Sequence, residues 1–272
     1  MVGCIGPEGT KGEQGIQGPQ GIQGAIGPQG PDGATGPAGA TGAAGAIGPA
    51  GTPLNFIKIA TQYWYNANQT GMAYTVGASP GAICFDGTNI WVSNYGSNTV
   101  TELKASDGTV LGTYGAGHLS SPGCLCFDGT NIWVSNIAGS VTKLKASDGS
   151  WVGDYAAGLG VSSPIGICFD GTNIWVANQG NNSVTELKAS DGSLVGKYNA
   201  AGLSLSMPYQ ICFDGTHIWV ANYGSASVTE LKASDGSLVG NYSTGYTQPI
   251  AICFDGINIW VTDYLSTTVS KF

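Results

Sequence analysis

No arginine occurs anywhere in the 272-residue chain; its nine basic residues are all lysines, set against 17 acids for a net charge of −8. Tracking a nucleic-acid backbone takes clustered cations, with arginine the preferred two-pronged partner for phosphate, so nucleic-acid binding is excluded. Charged residues of both signs reach only 10% of the chain, and histidine occurs twice, at His118 and His217. Long apolar runs are missing as well. Nothing approaches the about 18 consecutive apolar residues needed to cross a bilayer, so no membrane insertion is expected. The opening Met1-Val2-Gly3-Cys4 carries neither the basic nor the apolar region of a secretory signal. A trimmed parent chain, or a viral structural protein released by lysis, accommodates that opening.

What is present is unevenly spread. Glycine falls at every third position from Gly3 to Gly51, giving seventeen uninterrupted G-x-y triplets over residues 3–53, and seven of the 12 prolines lie in those triplets. Only glycine fits at the axis where three polyproline-II strands meet, so this period specifies a collagen triple helix and therefore three chains. A homotrimer is expected. At roughly 3 Å of rise per residue the stalk would reach about 150 Å. Few of its prolines occupy the y position, and the segment resembles the hydroxyproline-free collagen-like stalks of bacterial surface proteins and phage tail fibres. A disordered Gly/Pro linker is the alternative. Cys4, at the start of the triplets, could cross-link the three chains.

After Pro53 the chain repeats itself. The block C-F-D-G starts at Cys84, Cys126, Cys168, Cys212 and Cys253, at intervals of 42, 42, 44 and 41 residues, each followed by I-W-V around Trp91, Trp133, Trp175, Trp219 and Trp260. Short alternating runs, a period near 42 and recurrent Asp-Gly turns specify a propeller blade rather than a helical repeat. The first blade parses as strands over 82–85, 90–94, 99–104 and 109–114. Pro80, Pro122, Pro164, Pro208 and Pro249 each precede an inner strand, where a missing amide donor does least harm. The fifth repeat stops at the third strand, and residues 72–77 match the outer-strand slot. We therefore expect an all-β fold: a five-bladed β-propeller whose last blade is closed by an N-terminal strand, preceded by a collagen-like triple helix. The expected boundaries are 1–53 for the stalk, 54–70 for a neck and 71–272 for the propeller. In the run I-C-F-D-G-T-N-I-W-V the repeats resemble the NHL and virginiamycin-B-lyase-like propeller families, which implies the fold and leaves function open, since propellers host lyases, hydrolases, lectins and scaffolds.

The residues that carry chemistry are sparse. Equivalent cysteines on successive blades are held apart, so they read as small buried side chains, and no C-x-x-C pair supports zinc. Asp86, Asp128, Asp170, Asp214 and Asp255 read as turn acceptors rather than a calcium ring. Neither histidine has a nucleophile and a third member to form a triad. No cofactor, no metal and no enzymatic activity are therefore expected; a lyase-type propeller enzyme and a passive surface spacer remain the alternatives.

More informative is what differs between repeats. The D-G-T-N and A-S-D-G turns are nearly constant, while the loops between second and third strands and between blades vary. In an up-and-down blade the two variable sets share one face. Tyr95, Gln179, Tyr209, Tyr223, Tyr246 and Tyr264 lie on it and are the candidate ligand-binding residues, suited to stacking on sugar rings. Unconstrained drift of loops is the competing explanation. Residues 54–68 fit no blade, and their Trp64 and Tyr65 are expected to clamp the three chains. The function this points to is a trimeric fibre or adhesin, a phage or virus tail fibre foremost, binding a glycan or protein on a host or neighbouring cell. Its place would be extracellular, on a virion or bacterial surface.

Overall fold

Each repeat opens with an aspartate that organises its own hairpin. In the computed structural model, Asp170 Oδ1 accepts the backbone N–H groups of Thr172 and Asn173, both at 2.7 Å, and Oδ2 accepts the indole N–H of Trp175 at 2.7 Å. One carboxylate thus closes the turn and anchors the largest core side chain, and the same indole bond recurs at Asp86, Asp128, Asp214 and Asp255. The following glycine takes a positive φ, 94° to 102° across the five turns, which a side chain would resist.

The structure describes residues 72–272 apart from Ala156, Ala200, Ala201 and Tyr246. Nineteen strands form five antiparallel sheets. Blade 1 comprises β1 (Pro80–Phe85), β2 (Asn89–Asn94), β3 (Thr99–Lys104) and β4 (Val110–Tyr114). Blade 2 runs from β5 (Pro122–Phe127) through β6 (Asn131–Asn136) and β7 (Ser140–Lys145) to β8 (Trp151–Tyr155). In blade 3 the order is β9 (Pro164–Phe169), β10 (Asn173–Asn178), β11 (Ser183–Lys188) and β12 (Leu194–Tyr198). Blade 4 has β13 (Pro208–Phe213), β14 (His217–Asn222), β15 (Ser227–Lys232) and β16 (Leu238–Ser243), and blade 5 has β17 (Pro249–Phe254), β18 (Ile259–Asp263) and β19 (Val269–Lys271). Each proline begins its inner strand opposite an Asn, or Asp263 in blade 5.

The tryptophan and third-strand valine of one blade pack on the inner aliphatics of the next. Trp91 and Val100 meet Leu125 and Ile132; Trp133 and Val141 meet Ile167 and Ile174; Trp175 and Val184 meet Ile211 and Ile218; Trp219 and Val228 meet Ile252 and Ile259. Full burial of such side chains contributes about 1.5 to 3 kcal/mol each. The outer strand adds a second tie. Tyr198 stacks on Trp175 at 5.3 Å, donates its hydroxyl to Glu186 at 2.6 Å and lies over Gly236 in the next blade, where a Cβ would collide with it.

The five blades match the expectation; the closure does not. Blade 5 has three strands, β17-β18-β19, and residues 72–76 carry no strand pairing. Among the described residues there are four inter-blade cores for five blades, and the fifth junction is not formed: Ile83, Phe85, Phe254, Ile257 and Val269 are all exposed. Tyr74 shows why. Its ring lies over Gly108 of blade 1, the place that Tyr198 takes over Gly236. The N-terminal segment therefore holds the outer-strand position against blade 1, as its sequence match implies, but stays with that blade instead of reaching β19. Blade 1 also differs from the others in a second way. Ser120, Ser162 and Ser206 donate backbone N–H groups to Asn136, Asn178 and Asn222, whereas the equivalent N–H of Ala78 goes to Ser97 Oγ, and Asn94 Oδ1 is left buried without a partner.

By contact density the chain divides into Met1–Asn68 and Gln69–Phe272. The triplets, Cys4, Trp64, Tyr65 and Tyr246 lie outside the described residues.

Candidate functional site: the variable face

Antiparallel order within each blade puts the β1–β2 and β3–β4 turns, and their equivalents, at one end of the sheet, and the β2–β3 loops and blade-to-blade segments at the other. At the second end, one backbone bond recurs in every blade. The N–H groups of Tyr95, Ile137, Gln179, Tyr223 and Tyr264 donate to the carbonyls of Ser79, Ser121, Ser163, Met207 and Gln248, at 2.9 to 3.2 Å. Each variable loop is thereby pinned to the segment that leads into the inner strand. Side chains extend this between blades: Asn98 Oδ1 accepts the N–H of Ser121, and Asn182 Oδ1 that of Met207, both at 2.7 Å.

Backbone strain is confined to the same end. Among the described residues, all eight non-glycine residues with positive φ (Ser79, Asn98, Ser121, Ser163, Asn182, Ser204, Met207 and Ala226) lie in these loops. At the constant end every described positive φ belongs to a glycine. Left-handed backbone in a residue with a Cβ costs about 1 kcal/mol or more and persists only where surrounding bonds impose it. The variable loops are therefore held in a fixed shape.

The recurring bond identifies one equivalent position per blade, occupied by Tyr95, Ile137, Gln179, Tyr223 and Tyr264. Four of the sequence-derived candidates fall on it, with Tyr95 and Tyr264 exposed and Gln179 and Tyr223 half-buried. Tyr209, on β13, is brought against Tyr223 with ring centroids 5.8 Å apart. No contact joins Tyr95 or Tyr264 to this pair among the described residues, so the candidates form one cluster and separate single positions around the arc. Ile137 escaped the sequence reading because it is neither polar nor aromatic; alignment on the preceding W-V-S/A-N run would have found it.

Toward the axis, Gln210 of blade 4 reaches Cys124 of blade 2, which donates its thiol to Gln210 Oε1 at 3.4 Å. Burial pushes the Cys124 thiol up to about 11, and likewise Cys84 and Cys212 to about 12. These are inert thiols, and the six described cysteines are unbridged.

His118, between blades 1 and 2, contacts Asp154 at 2.9 Å and stacks on Trp151 at 4.4 Å. Thr142 donates to Asp154 at 2.7 Å. The order is hydroxyl to acid to imidazole, and among the described residues no hydroxyl bonds the imidazole. At the constant end, Asp214, His217 and Glu230 bring potential metal ligands within 4.8 Å of one another, a grouping the sequence reading did not foresee.

No helix among the described residues is long and apolar enough to cross a membrane. Residues 1–55 match the family model described as collagen triple helix repeat (20 copies). No curated protein sequence matches the chain. Among solved structures, a streptogramin B lyase superposes with a TM-score of 0.60 at 17% identity, covering 70% of this chain and 65% of that one. The virginiamycin B lyase of Staphylococcus aureus gives 0.58 at 15% identity, covering 72% of each chain. Hydrazine synthase of Kuenenia stuttgartiensis gives 0.58 at 22% identity, covering 72% of this chain and 58% of that one. The chain thus spans less than two thirds of two of these structures, and the likeness establishes a β-propeller fold; joined to the matched collagen-like repeats, it is an architecture that fits a fibre or adhesin.

Proposed function

We propose that this chain is the subunit of a homotrimeric fibre, carrying propeller heads on a collagen-like stalk of residues 1–53, that binds a cell-surface glycan through the variable face. The carrying observation is the pinned loop: five equivalent positions share one backbone bond, three held by Tyr and the others by Ile and Gln, within loops that otherwise vary, while the turns at the opposite end scarcely do. Drift alone would not retain eight strained non-glycine residues at that end. Exposed Tyr95 and Tyr264 and the Tyr209–Tyr223 pair, with Gln179 and Tyr246, offer flat aromatic and amide groups of the kind that stack on and hydrogen-bond to sugars. The absence of arginine and the net charge of −8 favour a neutral or cationic receptor surface over a polyanion. A tail fibre of a phage or virus is the leading setting and a bacterial surface adhesin the second; Trp64 and Tyr65, in the 54–70 neck, act as the clamp of the three chains.

Screening the full-length chain on a glycan array tests this. We expect saturable binding to a restricted set of sugars, lost when Tyr95, Tyr223 and Tyr264 are changed together to Ala while sedimentation still reports a trimer. A blank array, or a triple variant that binds as well as the parent, overturns the recognition reading; a monomer on sedimentation of the parent overturns the fibre. The lyase reading rests on the shared fold with two lyases. Turnover of a streptogramin B by the purified chain would install it instead.

A further inference from the structure

The turn that opens the second strand carries Asn in four repeats and His217 in the fourth. In blades 1 and 3 that Asn bridges to a third-strand glutamate, Asn89 to Glu102 and Asn173 to Glu186, each at 2.7 Å. Blade 2 has Lys143 in place of the glutamate, and its Asn131 turns back to Asp128 at 3.1 Å. Blade 4 alone combines the glutamate, the turn aspartate and an imidazole. Pairing of Trp219 with Glu230 and of His217 with Lys232 sets Glu230 diagonally across from His217.

Two of the three separations in the group exceed an ordinary ring N–H hydrogen bond, and the three ligand atoms all lie within 4.8 Å of one another. His217 Nδ1 stands 3.3 Å from Glu230 Oε1 and 3.5 Å from Asp214 Oδ2. A ring N–H bonded to oxygen would lie at about 2.7 to 3.2 Å. Oxygen and nitrogen atoms bound tetrahedrally to one zinc ion, with bonds near 2.1 Å, stand roughly 3.4 Å apart. The remaining oxygens are already oriented: Asp214 Oδ1 accepts the N–H groups of Thr216 and His217, and Glu230 Oε2 accepts the hydroxyl of Tyr242 at 2.6 Å. Ligand carboxylates held this way by neighbouring donors are a recurrent feature of metal sites.

We propose that Asp214, His217 and Glu230 form a binding site for one divalent transition cation, zinc being the best fit to an imidazole with two carboxylates. His217 is half-buried, which leaves a fourth coordination position to water. The ion substitutes for the Asn–Glu bridge of blades 1 and 3 and ties β14 to β15 at the constant end, beside the core shared with blade 5.

The test is calorimetric titration of the chelator-treated, full-length chain with zinc chloride, alongside His217→Asn, a change that restores the residue of the other four repeats and so is compatible with folding. One equivalent should bind, and His217→Asn should weaken it by more than about tenfold with the metal-free melting midpoint unchanged. Cobalt substitution identifies the donors: a spectrum without thiolate charge transfer supports the site, and a thiolate band assigns the ion to cysteines and overturns it. So does an absence of saturable zinc binding, or equal affinity in His217→Asn.

Discussion

Asp170 satisfies two turn amides and the indole of a fully buried tryptophan with a single carboxylate. Removing it leaves the Trp175 indole N–H without an acceptor inside a core, together with two freed turn amides. Asp170→Ala should therefore cost about 2 to 4 kcal/mol, and Asp170→Asn less, because its amide oxygen still serves the turn. Urea unfolding followed by tryptophan fluorescence measures both; an alanine variant within about 0.5 kcal/mol of the parent would show that the carboxylate is dispensable. The turn role of this aspartate is legible in sequence, since Asp-Gly between apolar runs is a turn signal. Its bond to a tryptophan five residues on is not, because that depends on how far the indole reaches back along the strand. The grouping of Asp214 with His217 and Glu230 was hidden for a like reason: Glu230 is thirteen residues beyond His217 and meets it only through the β14–β15 register. The one available signal was the replacement of Asn by His in a single repeat.

Inner strands meet closely enough that one glycine decides their spacing. A Cβ on Gly166 of β9 would stand 2.7 Å from the Tyr209 carbonyl oxygen and 2.8 Å from Gln210 Cα, both on β13. Neither is the end of a flexible side chain, so Gly166→Ala must push the two strands apart, at about 1 to 3 kcal/mol. The melting midpoint should fall by roughly 3 to 10 °C. Gly158, whose Cβ would meet nothing within 4 Å, supplies the control, and Gly158→Ala should melt with the parent. Equal behaviour of the two variants would contradict the close approach. Strand identity and order were readable from the repeats, because each writes its own turns and proline. The tight β9–β13 contact was not: the equivalent positions hold Ala82, Cys124, Gln210 and Ala251, and only the packed structure shows which of them must be empty of side chain.

Repetition specifies a blade but not the curvature of the set, which is why closure could not be read from the sequence. Curvature follows from the thickness of each inter-blade core, and four such cores here carry five blades through an arc whose first and last faces stay uncovered. The same position of the inner strand reports this directly. Ile167 of blade 3 is 4% exposed, whereas Ile83 of blade 1 is 70% exposed. In an arc, Ile167→Ala should cost about 2 to 4 kcal/mol and Ile83→Ala less than about 0.5 kcal/mol. In a ring closed on itself, Trp260 and Val269 would cover Ile83 as Trp133 and Val141 cover Ile167, and the two costs would converge. Chemical denaturation of the two variants in parallel therefore separates the geometries. Similar losses at both positions would mean that blade 5 reaches blade 1 in solution; a loss at Ile167 alone would leave both terminal faces exposed on every head.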